Sequence, residues 1–337
     1  MTENTGTKYL VVVNSKTSSV TAKFWERYQT VFDSQLPPYD LFIPESGFFK
    51  MPDNAEKYDI FILVGGDRFF SQFINTAFYG LSDRCQKTYL AFIPDRKNTT
   101  IASSLGLPGD LKNQLELVRK RQSIYLDLIR CHFIDKKGIP RSRFVLNDVA
   151  IGLSPARLPI LAKALIELTK YPLLLHPKKQ GKTISLIQKG DLLFEGQYIF
   201  AFVLLGNRIT KGPKLPFRKK IRFNLNGFDY YQLCPHSLKK NRLILNEDIS
   251  VAGSGNRGYL FSGNYQDLII RGDGAENSII ADGIYLGRLP ATFSFLPKAL
   301  RVIAPLLTIR VSQPITGKVA ATGIPKPAGS RDSLRTE

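Results

Sequence analysis

The sequence predicts an α/β plus all-β protein: an N-terminal Rossmann-like domain with a parallel sheet, followed by an antiparallel β-sandwich domain. Buried strands alternate with helices over residues 1–123, which is typical of a parallel sheet covered on both faces. Short strands separated by turn clusters fill residues 124–312, which indicates antiparallel pairing. The last segment, residues 313–337, is rich in Gly, Pro, Lys, Ser and Thr, and we expect a flexible tail.

The N-terminal domain begins with Tyr9–Val13, whose uninterrupted apolar and β-branched residues predict a strand buried on both faces. A polar turn comes next, in which Ser18 or Ser19 can cap a helix that begins near Val20. Further strands and helices alternate after Pro37. The predicted elements are strands at Tyr39–Ile43, Tyr58–Val64 and Tyr89–Ile93, and helices that reach about Phe78 and cover Lys112–Arg121.

The second domain is predicted to contain short strands with turn-forming Gly, Asp, Asn and Lys clusters between them. One helix, at Pro159–Thr169, interrupts the pattern. The predicted strands are Ile124–Ile134, Arg143–Ile151, Thr183–Ile187, Gln197–Leu205, Lys220–Leu225, Tyr230–Leu233 and Leu268–Arg271.

The chain is strongly basic, with 47 Lys and Arg against 28 Asp and Glu and a net charge of +19. Such a surface attracts nucleic acid, anionic lipid headgroups or phosphorylated substrates. The sequence shows no nucleic-acid recognition module, and its main Lys and Arg cluster is not interleaved with aromatic residues, which disfavours nucleic acid. A lipid substrate or an anionic membrane surface is therefore the favoured partner. The oligomeric state is left open, with a homodimer as one option.

The expected location is the cytoplasm, with peripheral attachment to a membrane allowed. Cys85, Cys131 and Cys234 are far apart and odd in number, which favours free thiols in a reducing compartment. The N-terminus is polar rather than a signal peptide. The longest apolar stretches, Tyr198–Leu205 and Val302–Ile309, fall well short of the roughly 20 residues that a membrane-spanning helix needs.

A Gly-Gly-Asp turn, residues 65–67, comes directly after a predicted buried strand and precedes a helix. Ligands of open α/β sheets bind outside the carboxyl ends of the strands. Glycines at that place allow backbone amides to approach a phosphate group, and the helix N-terminus favours negative charge. A tight turn alone would also explain the glycines.

Several such segments occur in an order that resembles the catalytic region of the diacylglycerol kinase and sphingosine kinase family of lipid kinases. Asn14–Ser18 stands where that family has Asn-Pro-x-Ser-Gly, and Gly65–Phe69 stands where it has Gly-Gly-Asp-Gly-Thr. Phe73–Thr76 lies in the next helix. Ile93–Ala102 and Leu105–Pro108 match the outline of the family's Ile-Pro-x-Gly-Thr segment and its Leu-Gly-Leu/Ile-Pro ending.

The resemblance continues through the second domain, so that it spans nearly the whole chain. The segments that carry it there are Leu126-Asp127, Phe144–Asn147, Ala150–Gly152, Leu205–Asn207, Asn226–Asp229 and Asp282-Gly283. The resemblance implies an enzyme that uses ATP and Mg²⁺ to phosphorylate a lipid hydroxyl. It also implies that Asp282 is the catalytic residue and Asp229 a metal ligand. The implied nucleotide-binding residues are Asn14, Ser15, Gly65, Gly66, Asp67, Arg68, Arg96, Lys97, Asn98 and Thr99.

The sequence departs from the family where phosphate and metal would bind. Arg68 and Phe69 replace the Gly-Thr of the first turn, and Arg96 and Lys97 replace the second Gly-Thr. Further departures are Thr99, Thr100, Asn226 and Ile284. Because phosphoryl transfer depends on positioning and on metal-assisted neutralisation of charge, these changes predict a degenerate kinase, although the added cations could also bind a phosphate in another way.

Three functions therefore stay open: an active lipid kinase, a non-catalytic relative that binds lipid or another anion at a membrane, and an NAD kinase-like enzyme. The last is suggested by Leu146–Val149, which resembles the Asn-Glu segment of that related family. A cluster of basic residues is predicted to form the lipid or anion surface. Its members are Arg208, Lys211, Lys214, Arg218, Lys219 and Lys220.

Overall fold

The structure, a computed structural model, describes residues 7–45, 52, 54–80, 87–96, 99–152, 182–198, 200–205, 227–233, 260–272 and 277–306. All of them belong to one compact unit, residues 1–306. The predicted helix Pro159–Thr169, the predicted strand Lys220–Leu225 and the predicted tail lie outside the described residues. The domain limits at 123 and 312 stay a prediction.

The first part is a parallel sheet with helices on its faces, as the sequence predicts. Strands β1 (Tyr9–Val13), β2 (Tyr39–Phe42), β3 (Ile60–Gly65) and β4 (Tyr89–Pro94) lie in the order β2-β1-β3-β4, and all pairs are parallel. The helices are α1 (Ser19–Gln35), α2 (Asp67–Gly80), α3 (Thr100–Ser104) and α4 (Leu111–Arg119), and a 3₁₀ turn covers Ala55–Lys57.

Strand side chains alternate between two hydrophobic clusters, which explains why β1, β3 and most of β4 are buried on both faces. Val11 and Val13 pack with Trp25 and Phe32 of α1 and with α4 residues. Leu10 and neighbouring strand residues pack on the other side, with Phe61, Phe70, Phe73 and Phe92 among the members of that cluster. The same second cluster includes Leu128, Phe144 and Leu300 from later in the chain, so it joins the parallel sheet to the second part of the molecule.

The second part is made of antiparallel strands, again as predicted. They are β5 (Ser123–Asp135), β6 (Pro140–Val145), β7 (Asp148–Ile151), β8 (Lys182–Gln188), β9 (Asp191–Tyr198), β10 (Phe200–Leu204), β11 (Phe228–Leu233), β12 (Leu260–Tyr265), β13 (Asp267–Gly272), β14 (Ser278–Ala281) and β15 (Ile284–Ile303). Their inner side chains form a third cluster around Tyr198, Tyr230 and Phe293.

The long strand β15 was not predicted as a strand, and it connects the two parts. It pairs antiparallel with β5, β13 and β14, and its end pairs parallel with β4 through Arg301 and Val302. Its pairing with β5 shifts register twice, and Lys298 at the second shift has a positive φ of 50°. The backbone N–H of Lys298 donates to the buried carboxylate of Asp127 over 2.8 Å, which fixes this bulge.

Candidate functional site

A cleft of about 700 Å³ opens at the carboxyl ends of the parallel strands, where ligands bind in open α/β folds. The segments after β1, β2, β3 and β4 contribute to it, together with the first turns of α2 and one side chain from β6. The lining residues are Asn14, Thr17, Ser18, Pro44, Glu45, Gly66, Arg68, Phe69, Gln72, Asn75, Thr76, Asp95, Arg96 and Arg143.

Hydrogen bonds fix the turn after β1 at its first residue, Asn14, and at its last, Ser18. The backbone N–H of Asn14 donates to the carbonyl of Val64 at 3.2 Å, and the Asn14 side-chain oxygen accepts a bond from the hydroxyl of Thr17. Ser18 caps α1, because its Oγ accepts from the N–H of Thr21 at 3.2 Å. Asn14 thus lines the cleft, and Ser15 is half-buried beside it. The assignment of both residues to the nucleotide remains a prediction.

The two glycines after β3 have different surroundings. A Cβ on Gly65 would lie 2.8 Å from the ring of Phe69, so the ring occupies the space beside this glycine. A Cβ on Gly66 would meet nothing closer than Asp95 Oδ1 at 3.8 Å. Gly66 therefore borders the open cleft, and Gly65 is required for the packing of Phe69, which is only 4% exposed.

Asp67 begins α2, and its carboxylate bonds to backbone rather than facing the cleft. Its two oxygens accept from the N–H groups of Thr100 at 2.7 Å and Ile101 at 3.0 Å, which start α3. Burial raises the pKa of Asp67, although these two hydrogen bonds oppose the rise. The side chain thus joins the turn after β3 to the helix after β4. Its assignment to the nucleotide remains a prediction.

The turn after β4 places one buried acid and one exposed base at the cleft. Asp95 accepts from the hydroxyl of Thr21 at 2.6 Å and from Nε of Arg96 at 3.2 Å. The Arg96 side chain is 61% exposed and therefore remains accessible to a ligand. Thr99 is buried at the start of α3. Lys97 and Asn98 lie outside the described residues.

Arg143 of β6 is a cleft residue that the sequence did not indicate. Its Nη2 donates to Oγ of Ser71 at 3.0 Å, and that hydroxyl donates to Oδ2 of Asp282 at 3.0 Å. The three side chains link the cleft to the turn between β14 and β15. Arg143 is 72 residues from Ser71 along the chain, so no local sequence signal could have found it.

Asp282, the predicted catalytic residue, is 2% exposed and lies in that turn with a positive φ of 47°. Its carboxylate accepts from the backbone N–H groups of Leu146 and Asn147, both at 3.0 Å, besides Ser71. Burial raises its pKa, while these donors and the charge of Arg143 oppose the rise. In this arrangement the carboxylate orders the β6–β7 turn. Its catalytic role remains a prediction.

Asn75 of α2 makes a second connection to β6. Its amide nitrogen donates to the carbonyl of Phe144 at 2.9 Å, and its oxygen accepts from the N–H of Phe144 at 2.8 Å. The same nitrogen also donates to the carbonyl of Ser71 at 2.8 Å. Since Asn75 also lines the cleft, this pair of bonds fixes the cleft wall against the antiparallel part.

The other predicted site residues lie away from the cleft or beyond the residues that the structure describes. Asp229 is on β11, where its carboxylate accepts from the side-chain amide of Asn264 at 2.8 Å. No three His, Cys, Asp or Glu side chains come together as metal ligands in the described ranges, so the metal role of Asp229 remains a prediction. The predicted lipid surface, Arg208, Lys211, Lys214, Arg218, Lys219 and Lys220, falls outside those ranges.

Comparison with solved structures supports the fold. A diacylglycerol kinase from Bacillus anthracis str. Sterne superposes with a TM-score of 0.62 at 16% identity, covering 89% of this chain and 97% of the other. A second structure of this kind from the same strain gives 0.64 at 16% identity, covering 89% and 98%. An NAD kinase from Archaeoglobus fulgidus, solved in complex with ATP, gives only 0.47 at 13% identity, covering 88% and 93%.

The sequence matches no protein-family model, and no curated protein matches it. The structural superpositions show that the chain has the fold of the diacylglycerol kinases. The predicted resemblance is confirmed at the level of the fold. Within the described part of the chain, none of the helices has the length and apolar character needed to cross a membrane.

Proposed function

We propose that this protein binds a phosphate-bearing ligand of the nucleotide type in the arginine-lined cleft, and that it has lost the lipid kinase chemistry associated with its fold. The observation that carries the proposal is the convergence of Arg68, Arg96 and Arg143 on one cleft at the carboxyl ends of parallel strands. Guanidinium groups form paired hydrogen bonds with phosphate oxygens, so three of them suit a polyphosphate.

The acidic side chains of the cleft offset only part of this charge, because its lining has three arginines against two carboxylates, Asp95 and Glu45. Asp95 already accepts bonds from Thr21 and Arg96. Glu45 lies at the rim, 89% exposed, and pairs with Lys16 at 3.3 Å. The cleft volume of about 700 Å³ lies within the range of small-ligand sites, roughly 300–1,000 Å³.

The residues at the cleft fit the phosphate groups of ATP, but they do not fit a carboxylate-held Mg²⁺. A magnesium site in a phosphoryl-transfer enzyme uses one or two carboxylates together with phosphate oxygens. Of the carboxylates at or near the described cleft, Asp67 bonds to the α3 backbone, Asp95 to Thr21 and Arg96, Asp282 to the β6–β7 turn, and Glu45 at the rim to Lys16. Arg68 and Arg96 would supply positive charge in place of the metal.

Loss of catalysis is supported by Asp282. A general base must reach the hydroxyl proton of its substrate, and the Asp282 carboxylate is buried and accepts bonds from Leu146, Asn147 and Ser71. No contact among the described residues favours a nicotinamide dinucleotide. The catalytic assay described below tests the two alternatives, an active lipid kinase and an NAD kinase-like enzyme.

Calorimetric titration of ATP, with Mg²⁺ and with EDTA, tests the proposal. We expect binding with a Kd of about 1–100 μM that EDTA changes less than about threefold, since the arginines neutralise the phosphates. The double variant R68Q/R96Q should bind at least about tenfold more weakly, because two charge-assisted contacts are lost. The variant K23Q/R27Q, which removes two exposed charges from α1, is the matched control and should bind like the wild type.

A second assay addresses catalysis directly. The protein is incubated with radiolabelled ATP, Mg²⁺ and either diacylglycerol in mixed micelles or NAD, and the products are separated. We expect no labelled lipid and no labelled NADP. Labelled phosphatidate would show an active lipid kinase, labelled NADP would show an NAD kinase, and undetectable ATP binding would overturn the proposal as a whole.

A further inference from the structure

A second basic surface lies on the antiparallel part, on the outer face of the β5–β6 hairpin. Arg130, His132 and Ile134 alternate along β5 and are all exposed. Because opposed residues of antiparallel strands share a face, the pairing places Arg288 of β15 on one side of Ile134 and Pro140 of β6 on the other. We call this the hairpin face; it also includes the turn residues Lys136, Lys137 and Ile139. Arg141 pairs with the buried Phe133 and therefore lies on the other face of β6.

The hairpin face has a large positive excess. It carries four Lys or Arg, namely Arg130, Lys136, Lys137 and Arg288, and the one carboxylate in residues 128–142 and 284–296 is Asp135. That carboxylate accepts from the N–H groups of Lys137 at 2.8 Å and Ile139 at 3.0 Å, and from Nε of Arg141 at 3.3 Å. These bonds lower the pKa of Asp135, so it stays ionised and fixes the turn that presents the two lysines.

Aliphatic side chains are exposed among these charges. Ile134 is 39% exposed and Ile139, at the tip of the hairpin, 41% exposed. A shallow groove of about 410 Å³ lies beside them, and Ile134, Pro140 and Pro290 contribute to its lining. Exposed apolar side chains surrounded by cations are typical of surfaces that enter the headgroup region of a membrane.

We propose that the hairpin face docks on an anionic lipid surface, with the Ile139 tip entering the headgroup layer and the four cations of that face contacting lipid phosphates and carboxylates. The positive charge of the hairpin face favours an anionic partner. The other described hairpin with exposed leucines, β8–β9, carries Asp191 and Glu195 beside Leu192 and Leu193 and so lacks the positive excess. Aliphatic tips also do not stack on nucleobases, which is the usual role of aromatic residues in single-strand binding.

Vesicle co-sedimentation of the full chain without nucleotide tests this proposal, independently of the cleft. The vesicles contain phosphatidylcholine alone or with 30% phosphatidylserine. We expect binding only to the anionic vesicles, with weaker binding at high salt. Each Lys near such a surface contributes on the order of 1 kcal/mol, about fivefold in the partition coefficient, so K136Q/K137Q should lower it about 25-fold. The variant K112Q/R119Q, which removes two exposed charges from α4, should leave it unchanged.

The apolar tip is tested by a matched pair of variants. I134S/I139S should weaken vesicle binding several-fold, whereas L192S/L193S on the β8–β9 hairpin should not. Equal binding to neutral vesicles, or full binding by K136Q/K137Q, would overturn the proposal. It would also be overturned if the wild type bound single-stranded RNA through Lys136 and Lys137 but not the anionic vesicles.

Discussion

Two turns of this molecule contain an aspartate that bonds to the backbone of a distant segment, but the surroundings of the two turns differ. Asp67 accepts from Thr100 and Ile101 at the start of α3, and Asp282 accepts from Leu146 and Asn147 between β6 and β7. Beside Asp67 the chain opens into a cleft with exposed arginines. Around Asp282 it is closed, with 2% of that residue exposed.

This comparison of the two turns distinguishes two kinds of residue among the segments that resemble the diacylglycerol kinases. Positions that match the pattern, such as Asp67, Asn75 and Asp282, bond to the backbone of neighbouring elements. Two positions that depart from it, Arg68 and Arg96, are exposed at the cleft, whereas three other departures, Phe69, Thr99 and Thr100, are buried. Side chains that hold the backbone together are needed whatever the ligand, which is consistent with the fold being kept at 16% identity.

The largest expected effect comes from removing the Asp282 side chain. The substitution D282A leaves two backbone N–H groups and the Ser71 hydroxyl without their buried acceptor. Each such group costs about 1–3 kcal/mol, so the three together cost at least about 3 kcal/mol. Since losses above about 5 kcal/mol are exceptional for a single substitution, we expect a loss of about 3–5 kcal/mol in the free energy of unfolding. Urea unfolding followed by circular dichroism measures it.

A matched substitution on the same turn distinguishes this structural role from a catalytic one. I284A changes a partly buried neighbour and should cost less than about 2 kcal/mol. If D282A were as stable as the wild type and its only defect were a lost kinase activity, the catalytic assignment of Asp282 would be supported, and the comparison of the two turns would fail.

The sequence predicted the parallel part closely, because its strands are uninterrupted apolar runs. The predicted Tyr9–Val13 is strand β1, and the predicted Tyr89–Ile93 differs from β4 by one residue. Strand β15 was missed because Pro290, Pro297 and Lys298 interrupt its apolar pattern. The structure accommodates this segment with register shifts and with the bond from Lys298 to Asp127, neither of which a local pattern reveals.

The candidate site was predictable only in part, because some of its residues, like strand β15, depend on contacts between distant parts of the chain. The Gly-Gly-Asp turn and Arg96 come after strands, so the rule on carboxyl ends of parallel strands located them. Arg143 reaches the cleft from β6, whose position depends on pairing with β5 and on the bonds from Asn75 to Phe144. Contacts between residues 69 positions apart depend on the tertiary fold and leave no periodic signal.

An intermediate effect is expected when the connection between α2 and β6 is removed. N75A leaves the N–H and the carbonyl of Phe144 without the Asn75 side chain, and we expect a loss of about 2–3 kcal/mol in the free energy of unfolding. T76A is the control, because the neighbouring Thr76 bonds only to its own helix, through the carbonyl of Gln72 in the described contacts. Its expected cost is below about 0.5 kcal/mol. Equal losses of stability in the two variants would show that the hydrogen bonds between Asn75 and Phe144 do not stabilise the fold more than the bond of Thr76 within its helix does.

The smallest effects should distinguish the two adjacent glycines. In G65A the new methyl group meets the Phe69 ring at 2.8 Å, so the ring or the turn must shift, at a cost of about 1–3 kcal/mol. G66A introduces a methyl group whose nearest neighbour is Asp95 Oδ1 at 3.8 Å, and its stability should stay within about 0.5 kcal/mol of the wild type. Because Gly66 borders the cleft, its methyl group should instead weaken ATP binding in the calorimetric titration. Loss of stability without loss of binding in G66A would show that Gly66, like Gly65, serves only the packing of the turn.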